Sequence, residues 1–153
     1  MASKREFVLA LLFTDDGRRV VLMRRTRPAW QAGRVNALGG SIMEGERTEE
    51  AARREVREEC GVDVSEWSEL LVWDDAEYRM HVLSAVSARA SEARTLEDQE
   101  VFLADVRALP ENVIDNLRWL VPLALDRDVE FPISVRSACA EGSGLTERGR
   151  TRS

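Results

Sequence analysis

Runs of apolar, β-forming residues along the chain predict several β-strands. Two runs rich in β-forming residues, 6–14 and 18–24, flank the turn-forming sequence Asp15-Asp16-Gly17 and predict a β-hairpin. Further apolar runs at 68–73, 79–88 and 100–106 predict three more strands. The stretches 25–38 and 91–99 contain no such run and are predicted as loops.

Two segments carry the 3.6-residue period of an amphipathic helix. Residues 49–59 are strong helix formers, with Thr48 predicted as the cap and Gly61 as the end. Their apolar stripe consists of Ala51, Ala52, Val56 and Cys60. Residues 112–125 predict a second helix in which Pro122 marks a kink or an early end.

Three carboxylates lie on one face of the first predicted helix. Glu55, Glu58 and Glu59 occupy positions i, i+3 and i+4, so their charges repel one another unless a cation lies between them. Hard Mg²⁺, or Mn²⁺ as a substitute, suits such oxygen ligands. A Glu-rich helix taken alone more often presents a solvated face, so the flanking residues decide between the two interpretations.

The flanking residues favour the metal site. Gly40 is followed at fixed spacing by Glu46, by Arg54-Glu55-Val56, by Glu58-Glu59 and by Gly61-Val62. This pattern resembles the Nudix box with all nine defined positions filled, and a chance match is on the order of 10⁻⁹ per starting position. The resemblance covers about residues 5–126 and implies an α/β fold, an α/β/α sandwich with a mixed sheet.

The same resemblance implies a reaction and a set of roles. The reaction is metal-assisted attack of water on a phosphoanhydride bond of a nucleoside diphosphate linked to another group. The implied metal ligands are Glu55, Glu58, Glu59 and the carbonyl of Gly40. Structural roles within the motif are implied for Glu46, Arg54 and Gly61.

The general base remains open among three acids. Glu55 and Glu58 lie within the box, and Glu100 heads a later predicted strand where many relatives keep an acidic residue. Glu97 or Asp98 could replace Glu100, and Glu100 could equally be an ordinary solvated acid of the loop.

Substrate recognition is predicted outside the box. Residues 26–40 are similar to the segment that precedes the box in MutT-like nucleotide-sanitising enzymes, and Asn36 matches their base-contacting asparagine. Val35, Ala37 and Met43 depart from that pattern, and Asn36 could instead pin the loop through its own backbone.

Two further features predict contacts with a nucleotide. Trp119 lies in a segment similar to the closing helix of MutT-like proteins, where a tryptophan packs near the base, although it could equally belong to the core. Arg24, Arg25 and Arg27 leave a predicted strand toward the glycine loop and are predicted phosphate ligands.

Composition narrows the class of partner. The chain has 153 residues and a net charge of −6, which argues against binding polymeric nucleic acid and fits a small nucleotide. We expect one Nudix domain at 1–136 and a disordered tail at 137–153, which lacks an apolar pattern. Whether the protein is a monomer or a homodimer stays open.

Localisation follows from the apolar segments and the cysteines. The apolar run at 7–13 is too short for a signal peptide, and we find no segment long enough to span a membrane. Cys60 and Cys139 do not form a disulfide framework, and Cys60 is predicted to be a buried reduced thiol. The expected location is the cytoplasm.

Two classes of function fit these features. One is a Mg²⁺-dependent pyrophosphohydrolase that converts a nucleoside triphosphate, or its oxidised form, to the monophosphate and pyrophosphate, with ADP-ribose or another nucleotide sugar as the alternative substrate. The other is a nucleotide-binding module without turnover. The complete carboxylate set favours the enzyme.

Overall fold

The computed structural model describes residues 4–138. Within them the chain forms one seven-stranded sheet and two α-helices. In chain order these are β1 (Arg5–Phe13), β2 (Arg19–Arg24), β3 (Val35–Ser41), α1 (Thr48–Cys60), β4 (Ser68–Asp74), β5 (Tyr78–Val86), β6 (Val101–Asp105), α2 (Leu117–Ala124) and β7 (Ile133–Arg136). Short 3₁₀ turns lie at Ala29–Gln31 and Ala88–Glu92.

The sheet is mixed, in the order β6-β2-β3-β1-β5-β4-β7. The β1–β5 and β4–β7 pairs are parallel, and the other neighbouring pairs are antiparallel. The predicted β1–β2 hairpin exists, but its ladder is reduced to the pair Phe13–Val20 because β3 lies between the two strands for most of their length.

A separate apolar core lies on each face of the sheet. On one face the α1 stripe of Ala51, Ala52, Val56 and Cys60 packs over β1, β3 and β5. On the other face Leu117, Leu120 and Val121 of α2 form part of a second core. The arrangement confirms the predicted α/β/α sandwich.

The prediction of a loop at 25–38 is wrong at its end, because β3 begins at Val35. Its sequence, VNALGGS, is poor in the β-branched and aromatic residues that favour strands. Pairing with β1 on one side and β2 on the other overrides that weak local preference.

Three other elements differ from their predictions. The second helix begins at Leu117 rather than at 112, because Val113 instead forms a bridge with Val35 of β3. Strand β7 was not predicted, although Ile133 belongs to the partly buried rim of the second core. The cap of α1 is Arg47, whose backbone N–H donates to Glu50 Oε1 at 3.4 Å, while Thr48 is the first helical residue.

The local predictions for Gly61 and Cys60 are confirmed. Gly61 ends α1 with φ of 79°, a left-handed conformation that glycine adopts without strain. Cys60 is free and buried. No helix among residues 4–138 has the length and apolar character needed to cross a membrane. The predicted tail lies, from residue 139 onward, outside the described residues.

Candidate active site

The close approach of β3 to α1 sets the geometry of the site. Gly40 lies against the carboxyl group of Glu55, and a Cβ at position 40 would overlap the carboxyl carbon at 2.5 Å. Only glycine therefore leaves room for this side chain at its present position. Gly40 and Glu55 meet because α1 packs across β3.

Arg54 joins the loop before α1 to the helix itself. Its guanidinium donates to both oxygens of Glu46, at 2.8 Å from Nε and 3.0 Å from Nη2. The Nη2 group also donates to the Ser41 carbonyl at 3.0 Å. The Arg54 hydrogen bonds hold the pKa of Glu46 below its usual value, so Glu46 is ionised at neutral pH and clamps the loop.

The same guanidinium also reaches two predicted metal ligands. Arg54 Nη1 lies 2.9 Å from Glu55 Oε1 and 3.3 Å from Glu58 Oε2. Glu55 and Glu58 therefore converge on one positively charged group. Glu58 is half-exposed, whereas Glu55 is largely covered.

Glu59 is held from the other side. The backbone N–H of Gly39 donates to Glu59 Oε1 at 2.7 Å, and Arg25 Nη1 lies 3.3 Å from Oε2. Arg25 Nη1 also lies 3.1 Å from the sulfur of Met23, while its buried Nε has no partner among the described residues.

Burial disfavours the ionised forms of Glu55 and Glu59. Desolvation raises the pKa of Glu59 to about 7, against the opposing effects of the Gly39 N–H and Arg25. Desolvation also raises the pKa of Glu55, with the charges of Glu58 and Glu46 adding to the effect. The site also holds four carboxylates, those of Glu46, Glu55, Glu58 and Glu59, against the guanidinium groups of Arg25 and Arg54, so its negative charge exceeds its positive charge.

That charge imbalance bears on the predicted divalent cation. No three His, Cys, Asp or Glu side chains within residues 4–138 form a ready-made metal cage. Even so, the donors are hard carboxylate oxygens, and two of them already converge on a cationic group. The residues present thus fit Mg²⁺ or Mn²⁺, with Glu55, Glu58 and Glu59 as the side chains that would hold it.

The three predicted phosphate ligands have different surroundings. Only Arg25 contacts a box residue. Arg24 Nε lies 3.6 Å from Glu100 Oε1, and Arg27 Nη1 lies 2.8 Å from Asp98 Oδ2; both arginine side chains are about half exposed. Glu100 contacts no box carboxylate among the described residues, and its role as a base stays a prediction.

Asn36 lies in β3 on the side of α1, opposite Met23 of β2. Its Nδ2 donates to Gln31 Oε1 at 3.1 Å, and its Oδ1 accepts the backbone N–H of Ala37 at 2.8 Å. Both polar atoms of the Asn36 amide thus have partners within the chain, as expected if Asn36 holds the loop in place. Recognition of a base by Asn36 stays a prediction.

Trp119 lies on the opposite side of the sheet from the box. Its ring centroid is 5.7 Å from that of Trp73, which packs against the core around α2. The Trp119 side chain is 40% exposed, so it is only partly buried. A contact between Trp119 and the base would require the substrate to extend around the sheet from the carboxylates.

Sequence reasoning missed two glutamines that shape the approach to the site. Gln31 fixes Asn36, and the buried Gln99 accepts the backbone N–H of Thr26 at 3.1 Å, which ties the arginine-rich segment to the strand edge. Neither glutamine lies in a recognisable motif. Only their position within predicted loops, beside the arginines and Asn36, could have drawn attention to them.

Comparison with solved structures supports the fold. A NUDIX hydrolase from Nitrosomonas europaea matches with a TM-score of 0.68 and 17% identity, covering 90% of this chain and 81% of that chain. A MutT NUDIX hydrolase from Burkholderia pseudomallei matches with a TM-score of 0.65 and 22% identity, covering 80% and 98%.

Comparison of sequences identifies the family. A mouse protein, oxidized purine nucleoside triphosphate hydrolase, is 30% identical over 105 residues, which are 69% of this chain and 57% of the relative. This chain thus spans little more than half of that relative. The family model for the NUDIX domain matches residues 4–130. With the complete box, the sandwich fold and this match all in agreement, the chain belongs to the NUDIX family.

Proposed function

We propose that the protein is a Mg²⁺- or Mn²⁺-dependent pyrophosphohydrolase that cleaves the phosphoanhydride of a nucleoside diphosphate linked to another group. The observation that carries the proposal is the convergence of Glu55 and Glu58 on one guanidinium nitrogen, with Glu59 anchored beside them by Gly39. A pure binding module would not need three acids in so crowded a place, where their mutual repulsion costs stability.

The chain's own residues divide the work as follows. Arg54 and Glu46 fix the loop, and through it the position of Gly40 under Glu55. Arg25, held in the site by Glu59, is the arginine suited to bind a substrate phosphate. Glu55 or Glu58 accepts the proton of the attacking water, with Glu100 as the third candidate. A bound Mg²⁺ would supply charge neutralisation and a more acidic water.

The first proposed substrate class is a nucleoside triphosphate or an oxidised purine nucleoside triphosphate, with pyrophosphate released. The mouse relative's name supports this class, as does the Asn36 segment. A nucleotide sugar such as ADP-ribose is the alternative. A substrate panel with Mg²⁺ separates them, because the first class releases pyrophosphate and the second a phosphorylated sugar.

The catalytic role of the carboxylates is tested with Glu58→Gln, which keeps the shape of the side chain and removes its charge. We expect kcat to fall more than about 10-fold, a barrier change of ~1.4 kcal/mol, while the melting temperature stays close to wild type because Glu58 is half-exposed. The exposed Glu66→Gln is the control. If Glu58→Gln kept more than a tenth of wild-type kcat, the metal-ligand assignment would be wrong.

A further inference from the structure

A cavity lies on the same side of the sheet as α1, where β5 begins and where β4 and β7 end. It measures about 670 Å³ and its polar lining comes from β4, β5 and β7: Asp74, Arg79, His81, Ser134 and Arg136. The box carboxylates do not line it. Its residues take no part in the hydrolytic steps proposed above.

The strand register places this cavity beside the box. Val8 of β1 pairs with Gly40 of β3 on one side and with His81 of β5 on the other. Paired residues of neighbouring strands point to the same face of a sheet, and two strand spacings amount to about 10 Å. Val8 itself is buried in the core under α1 and offers no surface to a ligand, but the separation of about 10 Å between Gly40 and His81 is within the length of a dinucleotide.

The cavity is positive in a protein whose net charge is −6. Asp74 is shared by Lys4 at 2.7 Å and Arg79 at 3.4 Å. Arg136, next to Asp74 in the register of β7, makes no ion pair or side-chain hydrogen bond with any residue between 4 and 138. Glu6 supplies the other carboxylate, 3.9 Å from Arg79. The lining itself contains two arginines, Arg79 and Arg136, and one carboxylate, Asp74, so its excess charge is positive; Lys4 and Glu6 lie outside the lining and offset one another.

One polar atom of the cavity residues is also unsatisfied. His81 Nε2 lies 3.0 Å from Glu6 Oε1, while Nδ1 is buried without a partner among the described residues. The tautomer that donates Nε2–H to Glu6 leaves Nδ1 as an acceptor, which the oxygen of an anion does not satisfy, so the partners for an anion in this cavity are the arginines.

From this geometry we infer that the cavity between β4, β5 and β7 binds an anionic group of the phosphate class, carried by the part of the substrate that extends away from the scissile bond. The arginine fork matches the oxygens of a phosphate, and Arg136 makes no side-chain hydrogen bond or ion pair with the described residues that would compete with that contact. The claim that this anion is part of the substrate rests on the proposed function, whereas the claim that the cavity binds an anion does not. Among substrates in which the group X linked to the nucleoside diphosphate is larger than a phosphate, the cavity favours those with a further phosphate outside the scissile diphosphate.

The anion site can be tested directly because His81 is the only histidine of the chain. In the full chain without a histidine tag, the ring signals of His81 in a proton NMR spectrum report on this cavity alone. We expect inorganic phosphate, titrated at fixed pH and ionic strength, to shift them saturably. Arg136→Ala should weaken the phosphate affinity at least 5-fold, and Arg136→Lys should restore part of it.

Two further variants test whether the charge of the cavity controls its affinity for phosphate. Asp74→Asn removes a negative charge and should strengthen phosphate binding, which loss of structure would not do. Arg107→Ala, an equal loss of charge just after β6 at the opposite edge of the sheet, should leave it unchanged. Absence of a saturable shift, or equal weakening by Arg107→Ala and Arg136→Ala, overturns the site.

The link to substrate is tested by a pair that differs in one phosphate, NADPH and NADH, in the presence of Mg²⁺. We expect Arg136→Ala to lower kcat/KM for NADPH relative to NADH at least 5-fold. If phosphate binding is lost but this ratio does not change, the cavity serves a free anion and the claim that the anion is part of the substrate is wrong. If neither compound nor any nucleotide is hydrolysed, the proposed function fails while the NMR result still decides the site.

Discussion

Gly39 and Gly40 are neighbours in β3, yet a side chain at each position would meet a different obstacle. At position 39 a Cβ would run into the backbone carbonyl of Val8, and φ of 152° lies in a region that other residues avoid. At position 40 a Cβ would meet only the end of the flexible Glu55 side chain. The first obstacle concerns the fold and the second concerns the chemistry.

Alanine substitutions should separate these two effects. Gly40→Ala should displace the Glu55 carboxylate and lower kcat at least 10-fold with little change in melting temperature. Gly39→Ala should instead lower the free energy of unfolding by about 1–3 kcal/mol, since the backbone of β1 or β3 must shift. Kinetics and thermal melts of both variants check this, and a Gly40→Ala enzyme with wild-type kcat would contradict the role of Glu55.

Asn36 offers a test of base recognition against loop pinning. If Asn36 reads the base, Asn36→Ala should change the ratio of kcat/KM between purine and pyrimidine nucleotides. If it only pins the loop through Gln31 and Ala37, Gln31→Ala should reproduce part of the defect and all bases should suffer alike. We expect a changed base preference; equal losses across all bases would exclude that role.

At this residue scale the sequence predicted the box and little beyond it. The box could be found because its spacing is set by one helix and one loop, and local geometry fixes both. The contact of Arg25 with Glu59 spans 34 positions in the sequence, and the separation of Arg24, Arg25 and Arg27 into three different environments depends on which way each side chain leaves the end of β2. No local pattern encodes those directions.

At the scale of elements, α1 and β3 show why one was predicted and the other was not. Helix α1 has strong helix formers, a clear apolar stripe and a terminal glycine, so local signals and tertiary packing agree. Strand β3 contains Asn36, Ala37 and two glycines and forms because two neighbouring strands pair with it. The glycines that weaken the strand signal are those that the close approach to Val8 and Glu55 requires.

Helix α2 has only eight residues, so its stability must come from packing. Leu120 is fully buried in the second core, together with Leu117 and Val121. We predict that Leu120→Ala lowers the free energy of unfolding by about 2–5 kcal/mol through lost burial and the cavity left behind. Denaturant unfolding measures this, with Leu96→Ala, at a 44% exposed position, as the control that should change it by less than about 0.5 kcal/mol.

At the scale of the whole molecule, the resemblance predicted the sandwich, but not which predicted site residues share a face. That assignment depends on strand order and register. Asn36 and the box lie on the side of α1, whereas Trp119 packs on Trp73 on the side of α2. Likewise Arg79, His81 and Arg136 form one cavity only because β4 pairs with both β5 and β7. Such pairings between distant segments have no periodicity to reveal them.

The last prediction concerns the boundary of the folded unit. Strand β7 pairs with β4, and the backbone N–H of Ser137 donates to the Asp74 carbonyl at 2.8 Å, so a cut belongs after Ala138 rather than after Arg136. Residues 139–153 have no apolar pattern and would gain too little from burial to offset the entropy of ordering.

Truncation after Ala138 should leave kcat/KM and the melting temperature nearly unchanged. Truncation after residue 130, which also removes β7, should lower the melting temperature and abolish phosphate binding at Arg136. If removal of residues 139–153 alone lowered the melting temperature by more than about 4 °C, roughly 1 kcal/mol for a domain of this size, the tail would belong to the fold.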